Sequence, residues 1–345
     1  MPPGHNKLCE VEDFADAELA ATIREVFAAD ADRHGAGFQL GREYRKYWEI
    51  GMAVRGLRQF GALHDRSLLL GVGAGTESTI FHLTKFARMV FATDVYIQQD
   101  HWSSFAPTRM LWDPEAFAPF PFDERRLVVQ HMDGRFLNYP DDTFDGIFSS
   151  GSIEHFGGLQ DAAFSAYEMG RVLKPGGIMT VSTEFCVAGP TPGVEWPGLV
   201  LFSAEQLRKY VVEASGLEPV DDFSAAVSEW TRATVRPLSF YVDEIQATIK
   251  AQGDRPRVGE VTWSVYPHIL LEQQGYTFGS VHLALRKTDR YPAADNAWAR
   301  PTPEIVRERR WRPTIRSAEG VAAAAAGKSR GKLASTVRRI WRRKG

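Results

Sequence analysis

The chain has 345 residues, 44% of them hydrophobic and 24% charged, with a formal net charge of −2. That composition excludes a disordered or fibrous chain and suits one large folded domain with additions. Its two cysteines, Cys9 and Cys186, stand far apart and in no metal-ligand spacing, so neither a structural disulfide nor a bound metal is expected. The N-terminal residues include no apolar signal segment, and no stretch approaches the roughly 20 apolar residues of a membrane span, which predicts a reduced cytoplasmic setting. No internal repeat of solenoid length is present. Residues 14–29 and 42–60 read as helices. In the second, Ile50, Val54 and Leu57 form an apolar stripe, while Tyr44, Tyr47 and Trp48 project from a neighbouring face.

The next segment carries the strongest signal. Leu68-Leu69-Leu70 reads as a buried strand that breaks into Gly71, Gly73 and Gly75, and residues 76–86 read as a helix. Glycines at alternate positions let a chain turn sharply and leave no Cβ where a ligand must meet the main chain. A dinucleotide fingerprint would need glycine at 76, where Thr76 stands, and a phosphate-binding P-loop would need a lysine that Gly75-Thr76-Glu77 lacks. Residues 88–93 then read as a second buried strand ending in Asp94, an acid placed to accept hydrogen bonds from the vicinal hydroxyls of a ribose. Residues 95–126 form a long connection with Trp102, Trp112, Phe117, Phe120 and Phe122 among prolines. A loop of that length and composition is expected to pack or to shape a pocket, since its aromatic content argues against disorder.

A third strand at 127–131 runs into Met132-Asp133-Gly134, and Phe144 to Ser150 gives a fourth, followed by Gly151-Ser152-Ile153-Glu154-His155-Phe156. Leu173-Lys174-Pro175-Gly176-Gly177 closes a helix before a strand over 178–184. Residues 224–266 are an insertion, and 268–271 with 278–285 read as a terminal hairpin turning at Gly275. The last eighteen residues, Lys328 to Gly345, carry eight basic residues and no acid, which against the overall −2 leaves −10 on residues 1–327. Leu333, Val337, Ile340 and Trp341 fall near helical spacing within that tail.

The order of the glycine loop, Asp94, Asp133, the FDGIFSS strand, the Glu-His segment and the Pro-Gly-Gly turn resembles class I S-adenosylmethionine (SAM)-dependent methyltransferases, the small-molecule branch often called type 11. The resemblance implies an α/β fold with a doubly wound, Rossmann-like sheet of seven strands, N-terminal helices and a basic C-terminal tail. On this reading residues 1–62 form a helical lid, 63–287 the methyltransferase domain with its insertion, and 288–345 a peripheral segment and tail. The cofactor implied is SAM, held by Gly71, Gly73 and Gly75, by Asp94 on the ribose, by Asp133 and Gly134 near the adenine, and by Ser149 and Ser150 under the methionine moiety. Tyr44, Arg45 and Trp48 are lid candidates.

Methyl transfer from a sulfonium is an in-line displacement in which positioning supplies most of the acceleration, while an oxygen or nitrogen acceptor must also lose a proton. His155 is the first candidate base and Glu154 the second. No Asn/Asp-Pro-Pro-Tyr/Phe segment, Pro-Cys pair or Asp–Asp–Asn metal set is present, which disfavours amino-methylating nucleic-acid enzymes, cytosine C5 methylation and catechol-type chemistry. A hydroxyl, carboxyl, amine or carbon of a small molecule or glycan is therefore the expected acceptor, with a sugar hydroxyl preferred because aromatic loops suit stacking. An RNA or ribosome-associated methyltransferase and a SAM-binding protein without turnover are the alternatives. For the tail the expected partner is an anionic membrane surface, giving a peripheral location, ahead of nucleic acid.

Overall fold

The computed structural model describes residues 4–35, 38–97, 101–243, 247, 266–291 and 297–298. All of its elements belong to one compact unit, Met1–Pro301; the remaining unit, Thr302–Gly345, which contains the basic tail, lies outside the described residues, as does most of the expected insertion beyond 243. The strands in chain order are β1 (Lys7–Leu8), β2 (Leu68–Val72), β3 (Met89–Asp94), β4 (Leu127–His131), β5 (Phe144–Ser150), β6 (Leu173–Ala188), β7 (Val194–Trp196), β8 (Leu199–Leu201), β9 (Glu218–Pro219), β10 (Arg236–Pro237), β11 (Leu271–Gln273) and β12 (Tyr276–Arg286). The helices are α1 (Ala17–Val26), α2 (Ala28–His34), α3 (Arg45–Gln59), α4 (Ser78–Leu83), α5 (Leu159–Val172), α6 (Ala204–Leu207) and α7 (Glu229–Arg232).

Leu69, Leu70 and Val72 are fully buried, as a strand with helices on both sides must be. β2 pairs in parallel with β3 on one side and β5 on the other, and the sheet runs β4-β3-β2-β5-β6-β12-β11 with β12 antiparallel to both neighbours. The count is the expected seven, although β6 already begins at Leu173, so that Pro175-Gly176-Gly177 lies within it, and β11 falls later than the expected 268–271. The two-residue strands β1, β9 and β10 extend the sheet to ten. Because the chain leaves β2 toward β3 and β4 and returns on its other side as β5, a crevice opens there at the carboxyl ends of the parallel strands.

One apolar layer, with Ile23, Ile50, Val54, Leu57, Ile80 and Val90 at 0% exposure, lies between the sheet and α1, α3 and α4. The opposite layer sets Ile147, Met179 and Val181 against α5 and the helical stretch that follows α6. The expected stripe Ile50, Val54, Leu57 is thus the core face of α3, each side chain contributing about 1.5–3 kcal/mol by its burial. The expected first helix divides into α1 and α2 at Phe27, whose φ of −102° and ψ of 44° leave the helical region. The helix expected over 76–86 is shorter, six residues with a turn at 84–86.

Lys287, just past β12, turns its ammonium onto the carboxyl end of α5 and its exit, donating to the carbonyls of Gly170 (3.0 Å), Arg171 (3.2 Å) and Leu173 (2.7 Å) and to Asp142 (2.8 Å). A cation here satisfies carbonyls that the helix end leaves without intrahelical donors. Lys287→Met should therefore lower the unfolding free energy by about 1–3 kcal/mol, the cost of unpaired buried acceptors. Urea denaturation checks this, and an unchanged midpoint and slope would refute it.

Candidate active site

A cleft of about 760 Å³ occupies the crevice and runs from the glycine loop to the ends of β5, β6 and β12. In the loop Gly73 has φ +66° and Gly75 φ +47°, the left-handed region that side chains resist. A Cβ on Gly73 would stand 2.6 Å from Cβ of Ser152, and one on Gly75 would stand 2.8 Å from the Phe105 carbonyl oxygen. The loop is held from three sides: Ser152 Oγ donates to the Gly73 carbonyl, Tyr96 hydroxyl to the Gly75 carbonyl and the Gly75 amide to Asp94 Oδ2, each at 2.8 Å.

Asp94, at the end of β3, also takes its Oδ1 bond from the Val95 amide at 2.7 Å. Burial raises its pKa and the two amide bonds partly offset this. Asp133 follows β4 and is embraced by Arg135, whose Nε and Nη2 donate to its two oxygens at 3.0 and 2.7 Å. Burial works against the Asp133 charge, but the Arg135 bonds outweigh it and hold the carboxyl below its ordinary range. Gly134 lines the same end of the cleft, where a Cβ would meet Phe156 and Val72. Ser150 lines the cleft floor with a buried Oγ that has no hydrogen-bond partner among the described residues. Gly71 and Ser149 are not among the residues that line it; a Cβ on Gly71 would stand 2.7 Å from the Phe148 ring.

Beyond the loop the walls change character. The first turn of α3 brings Arg45, Lys46 and Glu49 to the cleft, opposite Glu154 and His155 on the turn Ile153–His155 and Glu184 on β6. Arg45 pairs with Glu184, and Lys46 pairs with Glu49 at 2.7 Å while donating to the Ser150 carbonyl at 3.0 Å. Burial opposes the charge of Lys46, and Glu49 with Glu77 outweighs it, so its pKa lies above the ordinary lysine value. Oε2 of Glu184 is buried in this wall without a hydrogen-bond partner among the described residues.

Glu154 is 1% exposed; its Oε2 accepts from Thr183 Oγ1 at 2.8 Å. Burial, reinforced by the Glu184 charge, pushes its pKa up to about 8. His155 Nδ1 lies 2.8 Å from the Gly198 carbonyl oxygen, which can only accept. The ring proton therefore sits on Nδ1 and the lone pair on Nε2, 4.0 Å from Glu154 Oε1. Burial lowers the His155 pKa, so the ring is neutral at pH 7.

Of the lid candidates, Tyr44 and Arg45 reach the cleft. Trp48 does not, because its ring is wholly buried and its Nε1 donates to Asp13 Oδ2 at 2.9 Å. Phe105 and Phe117 of the long connection line the cleft, whereas Trp112 points to solvent at 69% exposure and the Trp102 side chain lies outside the described residues. The insertion supplies Leu238 and Val242 to the far wall, beside Leu199 and Phe278. Lys46, Glu49 and Glu184 went unread in the sequence. The one local signal was an acid, Glu184, near the carboxyl end of a core strand, on the edge that faces the crevice.

Among the described residues no helix is long and apolar enough to cross a membrane, and no group of three or more His, Cys, Asp or Glu is placed to hold a metal ion. The strand order, the glycine turn after β2 and an acid at the end of β3 define a doubly wound α/β domain built around a nucleoside cofactor. Residues 70–181 match the family described as methyltransferase domain, so this part of the chain is a SAM-dependent methyltransferase domain. Its cofactor is SAM.

No curated protein sequence matches the chain. Among solved structures it is similar to the [4+2]-cyclase SpnF, with 19% identity over 83% of this chain and 99% of that one at a TM-score of 0.46. It is also similar to the 1,6-didemethyltoxoflavin-N1-methyltransferase of Burkholderia thailandensis, solved with 1,6-didemethyltoxoflavin and S-adenosylhomocysteine (17%, 79% and 90%, TM-score 0.39). A third is the YcgJ protein of Bacillus subtilis (14%, 68% and 97%, TM-score 0.39).

Proposed function

We propose that the chain transfers the SAM methyl group to a hydroxyl, carboxyl, amine or carbon of a small molecule or glycan, with His155 taking or orienting the acceptor proton. The observation that carries this reading is the neutral His155 ring, anchored through Nδ1 to Gly198 with its Nε2 lone pair on the far side of the ring, in the same cleft as the glycine loop. In this reading Gly73, Gly75 and Gly134 leave space for the cofactor, Asp94 accepts from its ribose, Asp133 from its adenine amino group, and Ser150 lies beneath its methionine portion. When bound, SAM supplies an electrophilic methyl on a sulfonium; the chain supplies alignment, exclusion of water and a place for the proton.

The orphaned Ser150 Oγ and Glu184 Oε2 suit a ligand with donors of its own, since buried polar atoms are normally paired. Leu199, Leu238, Val242 and Phe278 extend the cleft past the cofactor loop, which a protein that merely bound SAM would not need. A sugar hydroxyl remains the favoured acceptor because the aromatic residues Phe105 and Phe117 line the cleft. Incubating the protein with methyl-labelled SAM and fractionated cell extract should place label in the small-molecule or glycan fraction. Label confined to RNA would instead support the nucleic-acid alternative, and its absence from every fraction would support binding without turnover.

A further inference from the structure

Glu154 has surroundings that set it apart from the other cleft carboxyls. A Cβ built on Gly151 would stand 2.6 Å from Lys46 Nζ, 3.0 Å from Glu49 Oε2 and 3.6 Å from Glu154 Oε1, so three charged side chains converge on one point of the wall. The two cations there already hold carboxylates: Arg45 holds Glu184, and Lys46 holds Glu49 and, at 3.7 Å, Glu77. What faces Glu154 is Thr183 and Glu184 from β6, Glu49 with the two paired cations from α3, and His155 from its own turn. A buried carboxylate without its own cation and among other carboxylates becomes more readily ionised when a positive charge enters the cleft.

Resting on the reading of this cleft as the SAM site, we propose that Glu154 is the proton store of the transfer, its charge following that of the cofactor sulfur: ionised while the sulfonium is present, protonated once the methyl group has left. The balance closes. The acceptor's lone pair, or its C–H electron pair in a carbon acceptor, forms the new bond to the methyl carbon, and the C–S bond breaks with its pair retained by sulfur as a neutral thioether. The acceptor's proton passes to Glu154 directly or through Nε2 of His155. One positive and one negative charge become none, so the cleft carries the same net charge before and after, and no oxidant or reductant is consumed.

The test needs no acceptor. Titration calorimetry with SAM in buffers of differing ionisation enthalpy counts the protons exchanged on binding, and Glu154→Gln supplies the reference, cancelling any titration of the cofactor's own amino group. If the sulfonium makes Glu154 tenfold more acidic, the unmodified protein should release about 0.4 more proton per SAM than Glu154→Gln near pH 8. With S-adenosylhomocysteine, whose sulfur is neutral, the two proteins should give equal counts. Infrared difference spectra of the unmodified protein provide a second readout that no folding defect can confuse: SAM should diminish a protonated-carboxyl band that S-adenosylhomocysteine leaves in place. SAM binding with equal proton counts, or with that band unchanged, overturns the proposal alone. Failure of SAM to bind overturns the reading of the cleft together with it.

Discussion

Replacing His155 with alanine is expected to slow single-turnover methyl transfer by roughly 10²–10⁴-fold, the usual contribution of a positioned base, while SAM affinity changes by less than about threefold. The asymmetry follows from the geometry. His155 is fixed by Gly198 on the wall carrying Glu154 and Leu199, whereas in the proposed reading the cofactor is held chiefly by the glycine loop, Asp94 and Asp133. For the unmodified protein, the His155 contribution to the rate should rise with pH through a midpoint below the ordinary imidazole value, because burial holds the ring below its ordinary pKa and a base works only when deprotonated. His155→Gln, which can reach the Gly198 carbonyl but cannot act as a base near neutrality, separates proton transfer from mere support of the wall. A full rate in His155→Gln would remove the imidazole from the proton step.

Asp94→Ala should weaken SAM binding ten- to a hundredfold, since losing hydrogen bonds to a charged acceptor costs about 1.5–3 kcal/mol and each decade is about 1.4 kcal/mol. Two effects add at this residue. In the reading proposed above the carboxylate accepts from the ribose, and it also ties β3 to the glycine loop through the Gly75 amide. Asp94→Asn retains one acceptor oxygen for that amide, so it should fall between the native protein and Asp94→Ala. Calorimetric titration with SAM and with NAD measures both the loss and the choice of cofactor. Unaltered SAM affinity in Asp94→Ala, or binding of NAD alone, would defeat the assignment.

The strands of the sheet were readable because each is a short apolar run closed by a turn, and the glycine loop because a ligand-facing turn restricts residue type. Pairings distant in sequence were not readable. Nothing local to Lys7 and Leu8 announces that they add to β12 at Val281 and His282. Trp48 misled for a related reason: its helical position suited either face, and the choice was made by Asp13, a hydrogen-bond acceptor 35 residues earlier. The charged wall of Arg45, Lys46, Glu49 and Glu184 joins α3 to β6 across the fold, and its members resemble ordinary surface residues until that contact forms. The insertion was visible as extra length, but its role in supplying Leu238 and Val242 to the cleft depends on β10 pairing with β11.

The seating of α3 bears on how fast the cleft can fill and empty. Gly51 lies against Ile23 and Gly56 against Thr180, so closely that an added Cβ would stand 2.6 and 2.8 Å from them, and Ile50, Val54 and Leu57 are sealed beneath. Swinging this helix outward would expose all of that apolar surface at several kcal/mol, a slow event compared with ordinary loop motion. The helix that carries Arg45, Lys46 and Glu49, expected as part of a lid over residues 1–62, is consequently a fixed wall. Exchange of spent cofactor for fresh is then expected to be timed by the loop residues of the cleft, Phe105 and Phe117 of the long connection with Leu238 and Val242.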